Sequence, residues 1–387
     1  MLAFQFNYFN PTRLYFGVGK RTALPDILKK ENWCSVAVVV DHALKNLPSV
    51  QTVLAGLSEA GISYTAGYCD VAEPSYAFLD EFRRKFEASR FDAVIGIGGG
   101  SALDAAKATA VLINNRAPAV TYRGFDKMTE PVLPIVALPT TAGTGSEVTP
   151  NASFIDTVEK RKLGINGEAV RPRIAILDPE LTLSCPMRPS VSAAVDAIVH
   201  STEAYVAKKT NPIARFYARE GFRRVFNSLE RLTAAPGDLA VRTELLYGSH
   251  LAGVALMHSG TGPAAAMSYP LGVLYQVPHG VGGATFLPGV AAFNVDHGCL
   301  DYADLYQVME LADLARSREW QAQQFCERMR QTWTVIGVSD DLSGLRIDRA
   351  AFVAQTLQLA GALEQNPVEF GKDQIEEVLT QLHVGVA

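Results

Sequence analysis

The sequence lacks the features that mark secreted, membrane-spanning or disulfide-stabilised proteins. Its five cysteines are scattered, odd in number and never in a CxxC pair: Cys34, Cys69, Cys185, Cys299 and Cys326. This pattern argues against a disulfide framework or a thiolate zinc cluster. No apolar stretch reaches the roughly 20 residues that span a bilayer, and the N-terminus lacks the charged-then-apolar order of a signal peptide. We therefore expect a cytoplasmic protein with reduced thiols and no membrane partner.

An excess of charge of one sign is also lacking. Charged residues make up 19% of the chain, the formal net charge is −5, and there is no long basic run. Binding to a phosphate backbone requires such a basic footprint, so we expect no nucleic-acid partner. Apolar residues are abundant, at 48% of 387 residues. A chain of this length is too long for one ordinary core and fits two domains that share a cleft.

The first half of the chain alternates short β-branched runs with helical stretches. We predict strands at Ser35–Asp41, Ile62–Tyr68, Ala93–Ile97, Val132–Leu138 and Arg173–Leu177. We predict helices at Pro48–Ala60, at Tyr76–Ser89 and from Ser101 onward. Such alternation is typical of βαβ units and a mostly parallel sheet.

From Pro189 onward, strand signals vanish and helical periodicity dominates. We predict helices at Val191–Lys208, Pro212–Leu229, Val241–Met257, Tyr302–Leu314, Glu319–Ile336 and Ile375–Leu382. We predict an irregular loop at Ser259–Pro288, and a long loop within a compact domain is usually functional or mobile. The predicted fold class is thus α/β plus all-α. It has an N-terminal parallel-sheet domain at 1–186 and a C-terminal helical domain at 187–387.

Two glycine-rich loops follow predicted strands. In the first, Gly98, Gly99 and Gly100 precede a helix that starts near Ser101, so backbone N–H groups could approach a diphosphate at the helix N-terminus. A merely structural tight turn is the alternative, because the acid that normally follows such glycines by about 20 residues is missing and the best strand-end acid, Asp41, precedes them. The second loop carries clustered hydroxyls with no obvious packing purpose, including Thr140, Thr141 and Ser146.

Three residues of the second half could hold a cation. Asp196 and His200 are four residues apart and so share one face of a helix, a spacing that lets two side chains converge on one ion. His279 lies in the Gly/Pro-rich segment. A surface hydrogen bond between Asp196 and His200, and a structural role for His279, are the alternatives.

Seven motifs, taken in order, resemble the iron-containing alcohol dehydrogenase superfamily. They are GGGSALDAAK (98–107), LPTTAGTGSEVTP (138–150), DPELT (178–182), DAIVHSTEAY (196–205), YPLG (269–272), VPHG (277–280) and Asn366-Pro367. The resemblance spans nearly the whole chain. It implies the dehydroquinate synthase-like fold: a dinucleotide-binding α/β domain, a helical domain that carries a divalent metal, Fe or Zn, and NAD(P) in the cleft between them. It also implies a homo-oligomer that acts on a small alcohol or aldehyde.

The resemblance assigns residues to the cofactor site. Asp41 matches the family's strand-end acid, which favours NAD over NADP. The glycine turn matches the diphosphate loop, and Lys162 looks like the family's ribose-contacting lysine. The full set of expected cofactor contacts is Asp41, Gly98, Gly99, Gly100, Ser101, Asp104, Thr140, Thr141, Ser146 and Lys162.

The resemblance also indicates an incomplete metal site. Asp196, His200 and His279 match three of the family's four ligands. Alignment on the YPLG and VPHG motifs places Ala265 where the family has its third ligand histidine, and Tyr269 where it has a further active-site histidine. A carboxylate with two imidazoles has a precedent in open catalytic sites. His258 is a candidate to compensate for the missing ligand.

Three hypotheses follow from these residues. The first is reversible hydride transfer between NAD and a small alcohol/aldehyde pair, with the metal polarising the substrate oxygen. In it Tyr269 acts as a proton relay or hydrogen-bond donor. The second is a metal-free reductase in which Tyr269 and His279 serve as catalytic electrophile and acid. The third is a nucleotide-binding homologue without catalytic activity.

Overall fold

The computed structural model describes residues 5–338, 344–382 and 385–386. The chain divides into two compact units. One comprises Asn10–Cys185, and the other comprises Pro186–Ala387 together with the described residues of Met1–Phe9. Residues 5–9 thus group with the helical unit, whereas the sequence-based domain at 1–186 includes them. No helix in the described ranges combines the length and apolarity needed to cross a membrane.

The first unit contains nine strands and four α-helices within its described residues. The strands are β1 Arg13–Phe16, β2 Ser35–Asp41, β3 Ser63–Cys69, β4 Ala93–Gly98, β5 Gly124–Phe125, β6 Ile135–Pro139, β7 Asn151–Asp156, β8 Arg161–Asn166 and β9 Ile174–Leu177. The helices are α1 Leu24–Lys30, α2 Pro48–Glu59, α3 Tyr76–Phe82 and α4 Gly100–Leu112. All five predicted strands and all three predicted helices are present. The helix predicted at Tyr76–Ser89 is much shorter than expected, because α3 ends at Phe82 and a 3-10 turn follows at Arg83–Phe86.

Six of these strands form one parallel sheet in the order β1-β9-β6-β4-β2-β3. The central strands β4, β6 and β9 are buried along their whole length, as is the run Val36–Val40 of β2. Strands buried on both faces read as continuous apolar runs, which is why the sequence indicated them clearly. A separate sheet of β5, β8 and β7 contains an antiparallel hairpin that the sequence did not reveal.

The second unit is built almost entirely from helices. They are α5 Met187–Val206, α6 Pro212–Phe226, α7 Leu229–Ala234, α8 Leu239–Ser259, α9 Pro263–Tyr275, α10 His279–Asp296, α11 Tyr302–Tyr306, α12 Arg318–Ile336, α13 Arg349–Leu357, α14 Ala360–Leu363 and α15 Lys372–Gln381. A two-residue parallel pair, β10 Arg346–Ile347 with β11 Gly385–Val386, is the exception to the expected absence of strands. The helix predicted at Tyr302–Leu314 is much shorter than expected and ends at Tyr306.

The prediction of an irregular loop at Ser259–Pro288 is wrong, because this segment forms α9 and the first half of α10. Pro263 occupies the first turn of α9, where its missing N–H costs nothing, whereas Pro270 and Pro288 lie inside helices. Most residues of both helices are buried. Burial of an almost entirely apolar helix outweighs the low helix propensity of glycine and proline, which a reading by propensity alone does not capture.

Candidate cofactor and metal sites

The strand order of the large sheet reverses at β2. Strand β2 pairs with β3 on one side and with β4 on the other, and in doubly wound sheets ligands bind outside the carboxyl ends of the strands at such a point. Asp41 ends β2 and Gly98 ends β4. A Cβ on Gly98 would lie 2.9 Å from the Cβ of Asp41 and 2.6 Å from that of Ala102. Only glycine permits this close approach of the turn to the strand-end acid.

The two glycine-rich loops face each other. A Cβ on Gly99 would lie 3.2 Å from Cγ2 of Thr141, and one on Gly100 would lie 2.7 Å from Cγ2 of Thr144. The N–H of Thr140 donates to the carbonyl of Gly98 at 2.9 Å. Helix α4 begins at Gly100, so its first-turn N–H groups and the hydroxyls of the second loop occupy one edge of the sheet.

Asp104 joins helix α4 to the second loop. Its Oδ1 accepts a hydrogen bond from Oγ of Ser146 at 2.6 Å, and its Oδ2 accepts from the N–H of Ser153 at 2.8 Å. Burial raises the pKa of Asp104, while Lys107 and these donors lower it. The side chains of Asp104 and Ser146 therefore bind one another, and this pair sets the position of the loop.

Lys107 is a buried charged residue that the sequence analysis did not single out. It is fully buried, and its Nζ donates to the carbonyls of Thr149 at 2.9 Å and Asn151 at 2.7 Å. Burial lowers the pKa of Lys107 to about 8. Its position three residues after Asp104, on the same helix face, was the signal available in the sequence.

The remaining polar candidates form hydrogen bonds or ion pairs with other residues of this unit. Ser101 donates from Oγ to the carbonyl of Ala72, and Nζ of Lys162 forms an ion pair with Oε2 of Glu73 at 2.8 Å. Both partners lie in the loop that follows β3. Oδ1 of Asp41 accepts from the N–H two residues ahead of it at 3.0 Å. The roles of these residues toward a cofactor remain predictions.

The three candidate metal ligands come together in the helical unit. Asp196 and His200 lie one turn apart on α5, and His279 is the first residue of α10. Oδ1 of Asp196 lies 3.6 Å from Nε2 of His200 and 4.0 Å from Nε2 of His279. All three residues offer ligand atoms within 4.8 Å of one another. Asp196 and His200 are buried, and His279 is half-buried.

This donor set fits a divalent cation. Ligand atoms about 2.0–2.2 Å from a common ion lie at most about 4.4 Å apart, so the 3.6 Å and 4.0 Å separations from Asp196 fit such an ion. The same spacings are too long for hydrogen bonds between the side chains. One carboxylate and two imidazoles suit iron or zinc.

The neighbouring positions do not complete the ligand set. Ala265 on α9 is buried and offers no donor side chain. The ring of Tyr269 packs edge-on against the ring of His279, with 4.8 Å between centroids. The ring of His258 packs instead on that of Tyr8, at 4.5 Å. Among the described residues, His258 is not part of the ligand cluster.

Two residues that the sequence analysis did not single out support this cluster. Ser268 is fully buried, and its Oγ lies 2.6 Å from Nδ1 of His279. The carboxylate of Glu203 accepts from the N–H groups of Gly262 at 2.7 Å, Ala264 at 2.7 Å and Ala265 at 3.3 Å, and so caps the start of α9. Burial raises the pKa of Glu203 to about 7, although these three donors lower it.

A doubly wound parallel sheet with a glycine-rich turn at its switch point suits a dinucleotide, and a carboxylate–imidazole cluster suits a catalytic divalent metal. Residues 11–179 match the family model for iron-containing alcohol dehydrogenase, and residues 190–383 match that for the C-terminal part of the Fe-containing alcohol dehydrogenase family. The chain belongs to the iron-containing alcohol dehydrogenase family, which confirms the resemblance inferred from its motifs.

Three relatives illustrate the similarity. The NAD-dependent methanol dehydrogenase of Bacillus methanolicus is 31% identical over 75% of this chain and 76% of its own length. The 1,3-propanediol dehydrogenase of Citrobacter freundii is 29% identical over 97% of this chain and 98% of its own. The structure of sulfoacetaldehyde reductase from Bifidobacterium kashiwanohense, in complex with NAD+, superimposes with a TM-score of 0.88 at 26% identity, over 98% of this chain and 99% of that one.

Proposed function

We propose that the protein interconverts a small alcohol and its aldehyde or ketone by hydride transfer with NAD, assisted by a divalent metal, Fe or Zn, bound by Asp196, His200 and His279. The observation that carries this proposal is the convergence of one carboxylate and two imidazoles within 4.8 Å in a member of the iron-containing alcohol dehydrogenase family. A bound divalent ion supplies a Lewis acid for the substrate oxygen. The nicotinamide supplies or accepts the hydride.

The protein's own residues bind and orient the cofactor. The turn at Gly98–Gly100 exposes backbone N–H groups at the start of α4, which suits a diphosphate. Asp104 and Lys107 hold the opposite loop, with its hydroxyls, against the same helix. Asp41 places a carboxylate at the end of β2, where a ribose hydroxyl would bind it and a 2′-phosphate would be repelled. NAD is thus preferred over NADP.

Tyr269 is the candidate for proton transfer. Its ring lies against that of His279, so its phenol is in the neighbourhood of the proposed ligands. A phenol both donates and accepts a hydrogen bond, so it can orient a substrate oxygen or pass a proton to it. This same contact is the observation that favours a second candidate, a metal-free reductase in which Tyr269 and His279 polarise and protonate the carbonyl.

One experiment separates the candidates. Metal-free protein is assayed for NADH oxidation against a panel of small aldehydes and ketones, with and without added Fe²⁺ or Zn²⁺. The proposal predicts activity that depends on the added metal and is lost in His200→Ala. Equal activity with and without metal supports the metal-free reductase instead. No NADH oxidation with any substrate, despite measurable NADH binding, supports a nucleotide-binding homologue without catalytic activity.

A further inference from the structure

The hydroxyl of Ser268 has two close partners but only one hydrogen. Its Oγ lies 2.6 Å from the carbonyl oxygen of Ala265 and 2.6 Å from Nδ1 of His279. A carbonyl oxygen can only accept, so the hydroxyl hydrogen must go to Ala265 for that contact to be favourable. The oxygen of Ser268 then has only lone pairs to offer His279.

It follows that His279 carries its proton on Nδ1. If Nδ1 instead held a lone pair, Ser268 would have to donate to it, and the short contact to the Ala265 carbonyl would place two acceptors against each other. With the proton on Nδ1, the lone pair of the neutral ring lies on Nε2. That atom is the one that faces Asp196, at 4.0 Å from its Oδ1.

The carbonyl that orients Ser268 is itself held in place. Ala265 lies in the first turn of α9, whose N–H groups bind the carboxylate of Glu203 on α5. Helix α5 also carries Asp196 and His200. The buried hydroxyl of Ser268 is therefore positioned, through Ala265 and Glu203, by the same helix that carries two of the three proposed ligands.

We propose that Ser268 is a positioning residue that selects the Nδ1–H tautomer of His279 and aims Nε2 at the ion shared with Asp196. Metal-ligating histidines generally donate their second ring N–H to a fixed acceptor, and loss of that acceptor typically lowers metal affinity by about 10–100-fold. In this chain a serine hydroxyl is the acceptor. For His200, Nδ1 has no such partner among the described residues.

The proposal rests on the proposed metal function, but its first test does not need the metal. The chain has seven histidines, and ¹⁵N-labelled histidine in the metal-free protein at pH 8 reports which ring nitrogen carries the proton. The signal of His279 is assigned by its loss in His279→Gln. We expect an Nδ1–H tautomer in wild type and a shift toward Nε2–H in Ser268→Ala. An Nε2–H ring in wild type, or no change in Ser268→Ala, would overturn the proposal.

The second test is Zn²⁺ affinity, measured by competition with a chelator. Ser268→Ala should weaken binding about 10–100-fold. The matched control is Ser201→Ala, because Ser201 is equally buried, directly follows His200, and its Oγ has no hydrogen-bond partner among the described residues. We expect it to bind Zn²⁺ within about twofold of wild type, and equal affinities in all three proteins would overturn the proposal. If wild type binds no Zn²⁺, the metal function fails, and the tautomer measurement still decides the role of Ser268.

Discussion

The substitution Gly280→Ala should separate His279 from Asp196. Gly280 directly follows His279 at the start of α10, and a Cβ at this position would lie 2.8 Å from the Cβ of Asp196 and 3.0 Å from the carbonyl carbon of Ser192 on α5. It would also press on the carbonyl oxygen of Ser192. Neither neighbour is the far end of a flexible side chain, so the two helices must separate.

The size of this movement can be worked from the same distances. Ordinary Cβ contacts begin at about 3.4 Å, so the 2.8 Å approach requires a retreat of at least 0.6 Å. A metal site tolerates ligand distances only within about 0.2 Å of their ideal values. We therefore expect Gly280→Ala to lower Zn²⁺ affinity by at least tenfold, and overpacking to cost about 1–3 kcal/mol of unfolding free energy.

The assay is chelator competition for Zn²⁺ combined with thermal unfolding of the metal-free protein. Gly272→Ala on α9 is the matched control, because a Cβ there would meet only the carbonyl oxygen of Val277, at an ordinary 3.6 Å. Its metal affinity should equal that of wild type. If Gly280→Ala binds Zn²⁺ as tightly as Gly272→Ala, the close packing of α10 on α5 does not set the position of His279.

Four further substitutions test other parts of the structure. Burial raises the pKa of Glu203 from 4.5 to about 7, so the folded state retains a proton that the unfolded state releases over that range, and stability due to Glu203 falls as the pH rises. Glu203→Gln removes this dependence, so its free energy of unfolding relative to wild type, measured in urea, should rise by about 3 kcal/mol between pH 4.5 and 7.5, since one pKa unit is worth about 1.4 kcal/mol. A difference between the two proteins that does not change with pH would show that Glu203 has an ordinary pKa. Ala265→His should strengthen Zn²⁺ binding by supplying a fourth ligand, and unchanged affinity in chelator competition would mean that position 265 does not face the ion. Asp41→Ala should narrow the preference for NAD over NADP in fluorescence titrations, and an unchanged ratio would place Asp41 away from the ribose. Gly99→Val should abolish NAD binding in the same titration, because a Cβ at this position would lie only 3.2 Å from Cγ2 of Thr141 and the larger side chain would block the diphosphate. Circular dichroism checks that the helices remain folded. Wild-type affinity would remove the glycine turn from the site.

The sequence predicted the parallel sheet well because its central strands are buried on both faces. The run Val36–Val40 is apolar throughout, short and rich in β-branched valine, which favours a buried strand over a buried helix segment. Strand β1 and the hairpin β7–β8 were missed because their exposed or mixed patterns, such as that of Arg13–Phe16, carry little periodicity. Their pairing is decided by contacts distant in the chain.

The candidate metal ligands could be predicted, but the residues that orient them could not. Asp196 and His200 have a helical spacing that shows their common face, whereas the contact of Ser268 with His279 depends on the packing of two helices that propensity assigned to a loop. The dense glycines of α10 weaken helix propensity and at the same time allow the close approach to α5 that Gly280 shows. Local sequence signals report the lower helix propensity of these glycines but not the closer helix packing that they allow.

The most direct test of the central claim is the metal stoichiometry of catalysis. Metal-free wild type, His200→Ala and Asp196→Asn are titrated with Zn²⁺ or Fe²⁺ while NADH oxidation by a reactive aldehyde and bound metal are measured together. We predict that wild-type activity rises in proportion to bound metal and saturates at about one ion per chain, as one cluster of three ligands implies, while both variants lose metal and activity in parallel. Activity that is independent of bound metal, or variants that bind metal as wild type does, would contradict the assignment of Asp196, His200 and His279 as the catalytic metal site.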